Sequence, residues 1–339
     1  MSSSQSKALD DNLAAPAPTI ESQTGNVRRE TRLSRASRHG LLASLFVLVA
    51  VSEYLYPGFL MPQNIRNILG QSAPTGIVAV GMTFVMITGG FDLSVGSIYA
   101  AGATIYASLA VAGWPLPEAA VATIAIGFLA GLTNGLIVTK LNVNAFVATL
   151  GTMSAFSGLA LIYSNSSPFI APDPAFAELG RGHMLSIPIS IWILLAFLVA
   201  GQLVLSRTVY GRQLYAIGGN DEASRLAGLR TEALRTSAYA LSGACAAIAG
   251  MLIASRLGMG QADIGAAMAL DAIAVVVIGG TSLLGGEGSI WRTAIGLLIV
   301  AVLTNLLDSL AISSHYQLVI KGTIVIGAVA VDSLIRSRR

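Results

Sequence analysis

The hydrophobic pattern of the chain is a series of long apolar runs separated by short polar stretches. A bilayer core about 30 Å thick needs roughly 20 apolar residues in one helix, and fewer where helices are broken or shielded. Runs of that length predict an all-α, polytopic integral membrane protein with about ten transmembrane helices. The predicted ranges are 41–57, 68–89, 94–112, 119–139, 143–163, 186–206, 236–255, 268–284, 290–307 and 315–332.

Two glycine-rich stretches interrupt the apolar pattern and predict broken helices near 88–96 and 279–289. In the first, ITGGFDLSVGS, a glycine pair ends one helix, and Asp92 or Ser94 can cap the next. The second, VIGGTSLLGGEGSI, makes the eighth run short. Both stretches share a GG…GSI outline, which fits either an internal repeat or the high glycine content of the chain.

A hydrophilic segment over 206–235 separates the sixth and seventh apolar runs. Asn220 is a good N-cap and Gly228 can end a short helix, with Asp221 and Glu222 favourable in its first turn. Its narrow apolar face consists of Ala223, Leu226 and Ala227. A helix of about two turns is marginal alone in water. It therefore either docks on a partner or lies on the membrane surface.

Composition excludes most other classes of protein. The 339 residues are 54% hydrophobic and 11% charged, with a mean hydropathy of +0.72. Residues 1–40 are polar, and we expect a disordered tail there, before a transmembrane domain over 41–335 that includes the 206–235 segment. The single cysteine, Cys245, permits neither an intramolecular disulfide nor a cysteine metal site. No catalytic constellation or phosphate-binding loop can be assembled, so we expect no enzyme.

The basic residues predict the orientation rather than nucleic-acid binding. With the N-terminus inside and ten spans, 16 of the 20 Lys and Arg residues lie on the cytoplasmic side. Both termini and the 206–235 segment are then cytoplasmic. The 164–185 loop, with three prolines and few charges, is outside, and we expect it to be structured or to dock a partner.

Ionisable residues near the membrane are few. They are Asp92, Asp263, Asp271, Glu287, Asp308 and Lys321. Each lies near a predicted helix end, where capping is the commoner role, and a residue deeper in the membrane should face protein or water. Asp308 and Lys321 lie near one hairpin and could pair. The shortage of deep charges argues against a proton or sodium relay.

Small residues recur at helix-packing spacing on two of the runs. Gly127, Gly131 and Gly135 repeat every fourth residue on the fourth, and Gly243 and Ala247 line part of the seventh. Small residues let helix backbones approach closely in lipid. This pattern predicts a tightly packed bundle and says nothing of function.

Four motifs in order resemble the permease subunits of bacterial ABC importers of the ribose, xylose and galactose class. They are AVGMTFVMITGGFDLSVGS, GRQLYAIGGNDEASRLAGL, LDAIAVVVIGGTSLLGGEGS and SSHYQLVIKG. The resemblance covers about 41–332. It implies an inner-membrane permease that pairs with a second copy or a paralogue. The partners it implies are a cytoplasmic ATPase with two cassettes, which uses ATP and Mg²⁺, and a periplasmic sugar-binding protein. The chain itself would bind no cofactor.

The resemblance also assigns candidate site residues. It makes 206–235 the segment that couples the permease to the ATPase, through Gly211, Gly219, Asn220, Ala223 and Gly228. The candidate translocation path involves the two breaks and includes Asp92, Ser94, Asp271, Thr281 and Ser282. The resemblance does not identify which sugar is transported. The alternatives are an ion-coupled secondary transporter, which would need coupling-ion groups in the membrane, and a membrane-bound enzyme.

Overall fold

The computed structural model describes residues 40–337. The predicted disordered tail lies outside these residues except for Gly40, so it stays a prediction. The described helices are α1 (Gly40–Leu55), α2 (Pro62–Ile87), α3 (Val95–Val111), α4 (Leu116–Lys140), α5 (Ala145–Ser164), α6 (Glu178–Arg181), α7 (Ile189–Arg207), α8 (Val209–Gly219), α9 (Asp221–Leu226), α10 (Thr231–Leu257), α11 (Met268–Ile278), α12 (Ile290–Ser309) and α13 (Ser314–Ser337).

Each predicted membrane segment overlaps one of these helices, which confirms the all-α architecture. Six described helices are long and apolar enough to cross a membrane, namely α2, α4, α5, α7, α10 and α12. The helices α1, α3 and α11 are apolar but shorter. The number of ten spans stays a prediction.

Helix ends differ from the apolar runs where backbone chemistry, rather than hydrophobicity, sets the boundary. The eighth run was expected to be helical over 268–284, but α11 stops at Ile278. It stops because Gly280 adopts a left-handed conformation with φ of +78°, which is inexpensive only for glycine. In contrast, α10 begins at Thr231, before its apolar run, because a helix can continue through polar residues outside the bilayer.

Helix α10 is at the centre of the core and packs against α2, α3 and α4. The two small-residue stripes face each other, a pairing that their spacing alone did not predict. A Cβ atom added at Gly127 would lie 2.7 Å from the carbonyl oxygen of Gly243, and one at Gly135 would lie 2.7 Å from Cα of Thr236. The α4 and α10 backbones therefore approach closer than any larger side chain would allow.

The loop over 164–185 is structured, as expected. Strand β1 (Phe169–Ile170) pairs with β4 (Met259–Gly260), and β2 (His183–Met184) pairs with β3 (Ile187–Pro188), both antiparallel. A 3-10 helix, Pro174–Ala177, buries Phe176 against Tyr106 with ring centroids 4.9 Å apart. The loop is thereby fixed to the ends of α3 and α10.

Candidate functional site

The hydrophilic segment contains a helix that the sequence analysis did not predict. Helix α8 begins after Thr208, whose hydroxyl accepts a hydrogen bond from the Gly211 amide at 3.1 Å. Its buried face includes Leu214 and Ile217, which pack with Phe84 and Leu205 in one cluster. A regular apolar spacing, with Tyr210, Leu214 and Ile217 at i, i+4 and i+7, was the available signal.

Helix α9 has the predicted ends and an outward apolar face. The side chain of Asn220 accepts a hydrogen bond from the Ala223 amide at 2.9 Å, and Gly228 has φ of +84°. Ala223 and Ala227 are exposed and Leu226 is 81% exposed, whereas Ser224 is buried. The apolar face that was expected to dock therefore has no partner among the described residues.

An ion pair attaches α9 to the first turns of α10, since Arg235 Nη2 lies 3.2 Å from Asp221 Oδ1. The Leu229 amide donates to the Ser224 carbonyl at 3.1 Å and closes the C-terminal end of α9. The other predicted coupling residues differ in their surroundings. Gly211 is buried against the end of α7, where a Cβ would overlap the Val204 and Leu205 carbonyls, while Gly219 is exposed. The remaining predicted coupling residues are at the surface like Gly219, namely Asn220, Ala223 and Gly228.

The two glycine breaks contact each other and the C-terminal end of α8. The Gly286 amide donates to the Ile87 carbonyl at 2.9 Å. A Cβ at Gly285 would lie 2.8 Å from the Gly89 nitrogen, and one at Gly218 would overlap the Ile87 oxygen. We call these five residues the glycine junction. It connects the segment over 206–235 directly to both breaks.

Two tyrosines of α8 reinforce this connection. The Tyr215 hydroxyl donates to the Gly288 carbonyl at 2.8 Å, and the Tyr210 and Ser237 hydroxyls are 2.8 Å apart. Burial raises the pKa of both phenols above its ordinary value. Tyr215 therefore stays protonated and can donate its hydrogen bond at any physiological pH.

Asp92 is fully buried in a polar network. Its Oδ1 accepts from the Ser94 amide at 3.1 Å and from the Ser94 hydroxyl at 2.6 Å, and its Oδ2 accepts from the Ser242 hydroxyl at 2.9 Å. Asn134 donates through Nδ2 to the Ser94 hydroxyl. The carboxylate thus caps the chain before α3 and links it to α4 and α10. The association of Asn134 and Ser242 with Asp92 was not predicted, because these two partners lie on helices far apart in the chain.

Thr281 and Ser282 form the turn of the second break and are also buried. The Ser282 amide donates to the Glu287 carbonyl at 2.9 Å, and the Ser282 hydroxyl accepts from the Leu284 amide at 3.1 Å. Asp271 lies at the opposite end of α11, which is about 16 Å long. The structure therefore does not bring the five path candidates into one site.

The predicted pairing of Asp308 with Lys321 is wrong. Lys321 Nζ lies 3.2 Å from both carboxylate oxygens of Asp271, while Asp308 Oδ1 accepts from the Gln317 side chain at 2.8 Å. Lys321 is one helical turn beyond Gln317, which carries it past Asp308 and level with α11. Within residues 40–337 no group of three or more His, Cys, Asp and Glu side chains could hold a metal ion.

Comparison with protein families gives a match over most of the chain. Residues 64–329 match the family described as "Branched-chain amino acid transport system / permease component". No solved structure matches the chain significantly.

Several characterised permeases are similar to the chain over nearly their whole length. The ribose import permease protein RbsC of Bacillus subtilis is 43% identical over 86% of this chain and 92% of its own. RbsC of Escherichia coli K12 is 39% identical over 93% of this chain and 99% of its own length. The xylose transport system permease protein XylH of the same strain is 31% identical over 88% of this chain and 92% of its own length.

Proposed function

The chain belongs to the family of permease subunits of bacterial ABC sugar importers, and from this premise we propose that it carries a pentose across the inner membrane, driven by a separate ATPase. Ribose is the first candidate, because relatives named for ribose import are 39% to 43% identical to the chain, against 31% for a xylose permease. The wider family description names amino acids, but these curated relatives are named for sugars.

One observation carries the proposal. Helix α8 contacts both glycine breaks, while the apolar face of α9, the helix that follows it, has no partner among the described residues. A partner bound to Ala223 and Leu226 would press on α9. The ion pair between Asp221 and Arg235 and the glycine junction would pass that movement to α10 and to both breaks. Elements in close contact transmit such displacements because packed interiors deform little.

In the proposed cycle, the two-cassette ATPase receives α9 in a surface cleft and moves it when ATP closes the cassettes. The movement changes the angle between the helices that end and begin at the breaks, which opens or closes the path to the cytoplasm. Glycines suit this role, since they tolerate both close contact and altered dihedral angles. ATP and Mg²⁺ act in the partner.

We assign the opposite end of the bundle to the periplasm and to the sugar-binding protein. Arg66, Arg181 and Arg256 border a cavity of about 300 Å³ there, beside His183. None of the three arginines forms an ion pair with a described residue. Guanidinium groups that are free in this way can bind carboxylates of a partner. In this topology both termini are cytoplasmic.

Uptake into sealed vesicles that hold the permease, ATPase and binding protein tests the function. We expect labelled ribose to accumulate only with ATP, and an uncoupler to have no direct effect. Accumulation that needs no ATP and disappears with the uncoupler would instead establish an ion-coupled secondary transporter. The same vesicles show which pentose or hexose competes with the labelled sugar.

A further inference from the structure

A small polar pocket lies between α2, α11, α12 and α13, away from the glycine junction. It is near the helix ends that adjoin the 164–185 loop, since α11 follows β4 and α13 starts at this end. Its volume is about 120 Å³, and apolar side chains such as Leu297 and Val300 form part of its wall. Its polar lining includes Gln71, Thr75, Asp271, Thr304, Asn305 and Lys321.

The pocket presents both donors and acceptors with no net charge. Asp271 and Lys321 neutralise each other across 3.2 Å, and each keeps capacity for further hydrogen bonds. Within the described residues, the side chains of Gln71, Thr75 and Thr304 make no hydrogen bond. Thr75 and Thr304 are half-buried and Gln71 is exposed, so these groups are free to hydrogen-bond to water or to a ligand that enters the pocket.

The volume and chemistry fit a monosaccharide. One water molecule needs about 10–15 Å³ of cavity volume, so the pocket of about 120 Å³ has room for on the order of ten waters. A pentose, with about ten non-hydrogen atoms, matches that room. Sugar hydroxyls donate and accept, as the lining requires, while the C–H groups can contact Leu297 and Val300.

We propose that this pocket is a transient binding site for the sugar on its way through the permease. The inference rests on the proposed function and adds the residues that contact the substrate. A neutral polar lining favours a neutral polyhydroxylated solute over an ion. Among the described residues that line the pocket none is aromatic, which fits weak binding, and a site on a path must release what it binds.

Cysteine protection tests the site directly, because the only native cysteine, Cys245, is 1% exposed. Thr75→Cys and Gln71→Cys are made singly in the complete complex, and a membrane-impermeant methanethiosulfonate labels them without ATP. Ribose at about ten times its dissociation constant should slow labelling by about tenfold. A disaccharide, too large for the volume, should not slow labelling. Neither sugar should affect the control Leu141→Cys, which is 68% exposed between α4 and α5 and belongs to neither docking surface.

Labelling of both cysteines at rates that ribose does not change would overturn the proposal. Cysteines that cannot be labelled at either position would also overturn it, since the pocket would then be closed to water. Wild-type vesicles separate this failure from failure of the proposed function. ATP-driven ribose uptake without protection rejects the pocket alone, and no ribose uptake under any energy source rejects the function.

A double exchange then separates binding from a purely structural ion pair. Asp271→Lys with Lys321→Asp keeps the attraction between the two side chains but moves the donor and the acceptor. For a binding site we expect complex assembly to persist while the KM for ribose rises or the choice among sugars changes. Full recovery of wild-type uptake kinetics by the exchanged pair would show that the pair is structural only.

Discussion

Gly218→Ala changes the glycine junction by one methyl group. The added carbon would overlap the Ile87 carbonyl oxygen and lie 2.5 Å from the Gly286 amide nitrogen. These are the two partners of the 2.9 Å hydrogen bond that joins the first break to the second. The methyl group must therefore separate α8 from the breaks or separate the breaks from each other.

Two costs contribute to the magnitude. Extra volume in a packed interior costs about 1–3 kcal/mol. A backbone group that loses its partner while it stays buried costs about 1–3 kcal/mol more. Together they predict a destabilisation of about 2–6 kcal/mol at the junction, which is enough to shift the coupling between α8 and the breaks by an order of magnitude or more.

The neighbouring residue provides a matched control. A Cβ at Gly219 would have nothing within 4 Å, so Gly219→Ala adds the same methyl group without a clash. We expect ATP-driven uptake to fall at least about tenfold in Gly218→Ala and to stay near wild type in Gly219→Ala, at equal amounts of assembled complex. Thermal unfolding in detergent measures the stability of each variant. Equal uptake and stability for the two variants would refute the junction as a tightly packed coupling element.

Three further substitutions follow from single contacts. Asp92→Asn should destabilise the permease by about 1–3 kcal/mol, because an NH2 group replaces one of the two buried oxygens that accept from Ser94 and Ser242. The control Asp263→Asn, at an exposed position, should shift thermal unfolding little. Tyr215→Phe removes the hydrogen bond to Gly288 and should cost about 0.5–1.5 kcal/mol, with a partial loss of uptake per ATP hydrolysed; an unchanged ratio would contradict the role of the bond. Arg235→Asp should reduce uptake, and Asp221→Arg in the same chain should restore it, with little change in stability, since a partly exposed ion pair contributes about 0–1 kcal/mol. Failure of the double variant to recover would show that the pair does not link α9 to α10.

Local signals in the sequence were enough to predict most of the helices. Each predicted apolar segment overlaps a described helix, and Asn220 with Gly228 marked α9, a helix of only six residues, whereas α8 was missed. These features depend on neighbours within a turn or two of the chain. The predicted break near 279–289 agrees with the end of α11 at Ile278 and the start of α12 at Ile290, whereas the apolar range 268–284 was too long because a glycine conformation, rather than hydrophobicity, ends the helix.

Contacts between distant segments were beyond the reach of the sequence. Asp92 was identified as a candidate, but its partners on α4 and α10 depend on how the small-residue stripes bring those helices together. Lys321 was assigned to Asp308 by proximity in sequence, whereas helix rotation places it beside Asp271. The glycine junction likewise needs three segments in contact, although the Gly218-Gly219 pair was visible.

Co-purification measures the central claim most directly. Tagged permease is isolated from native membranes in mild detergent, with the co-purifying chains counted by mass spectrometry, for wild type, Ala223→Arg and the small control Ala223→Ser. With wild type and Ala223→Ser we expect an ATPase with two cassettes, at one copy per two permeases. With Ala223→Arg we expect the ATPase to be lost, because a large cation replaces a methyl group on the exposed face of α9. An ATPase retained in full by Ala223→Arg, with undiminished uptake, would contradict the assignment of α9 as the coupling helix.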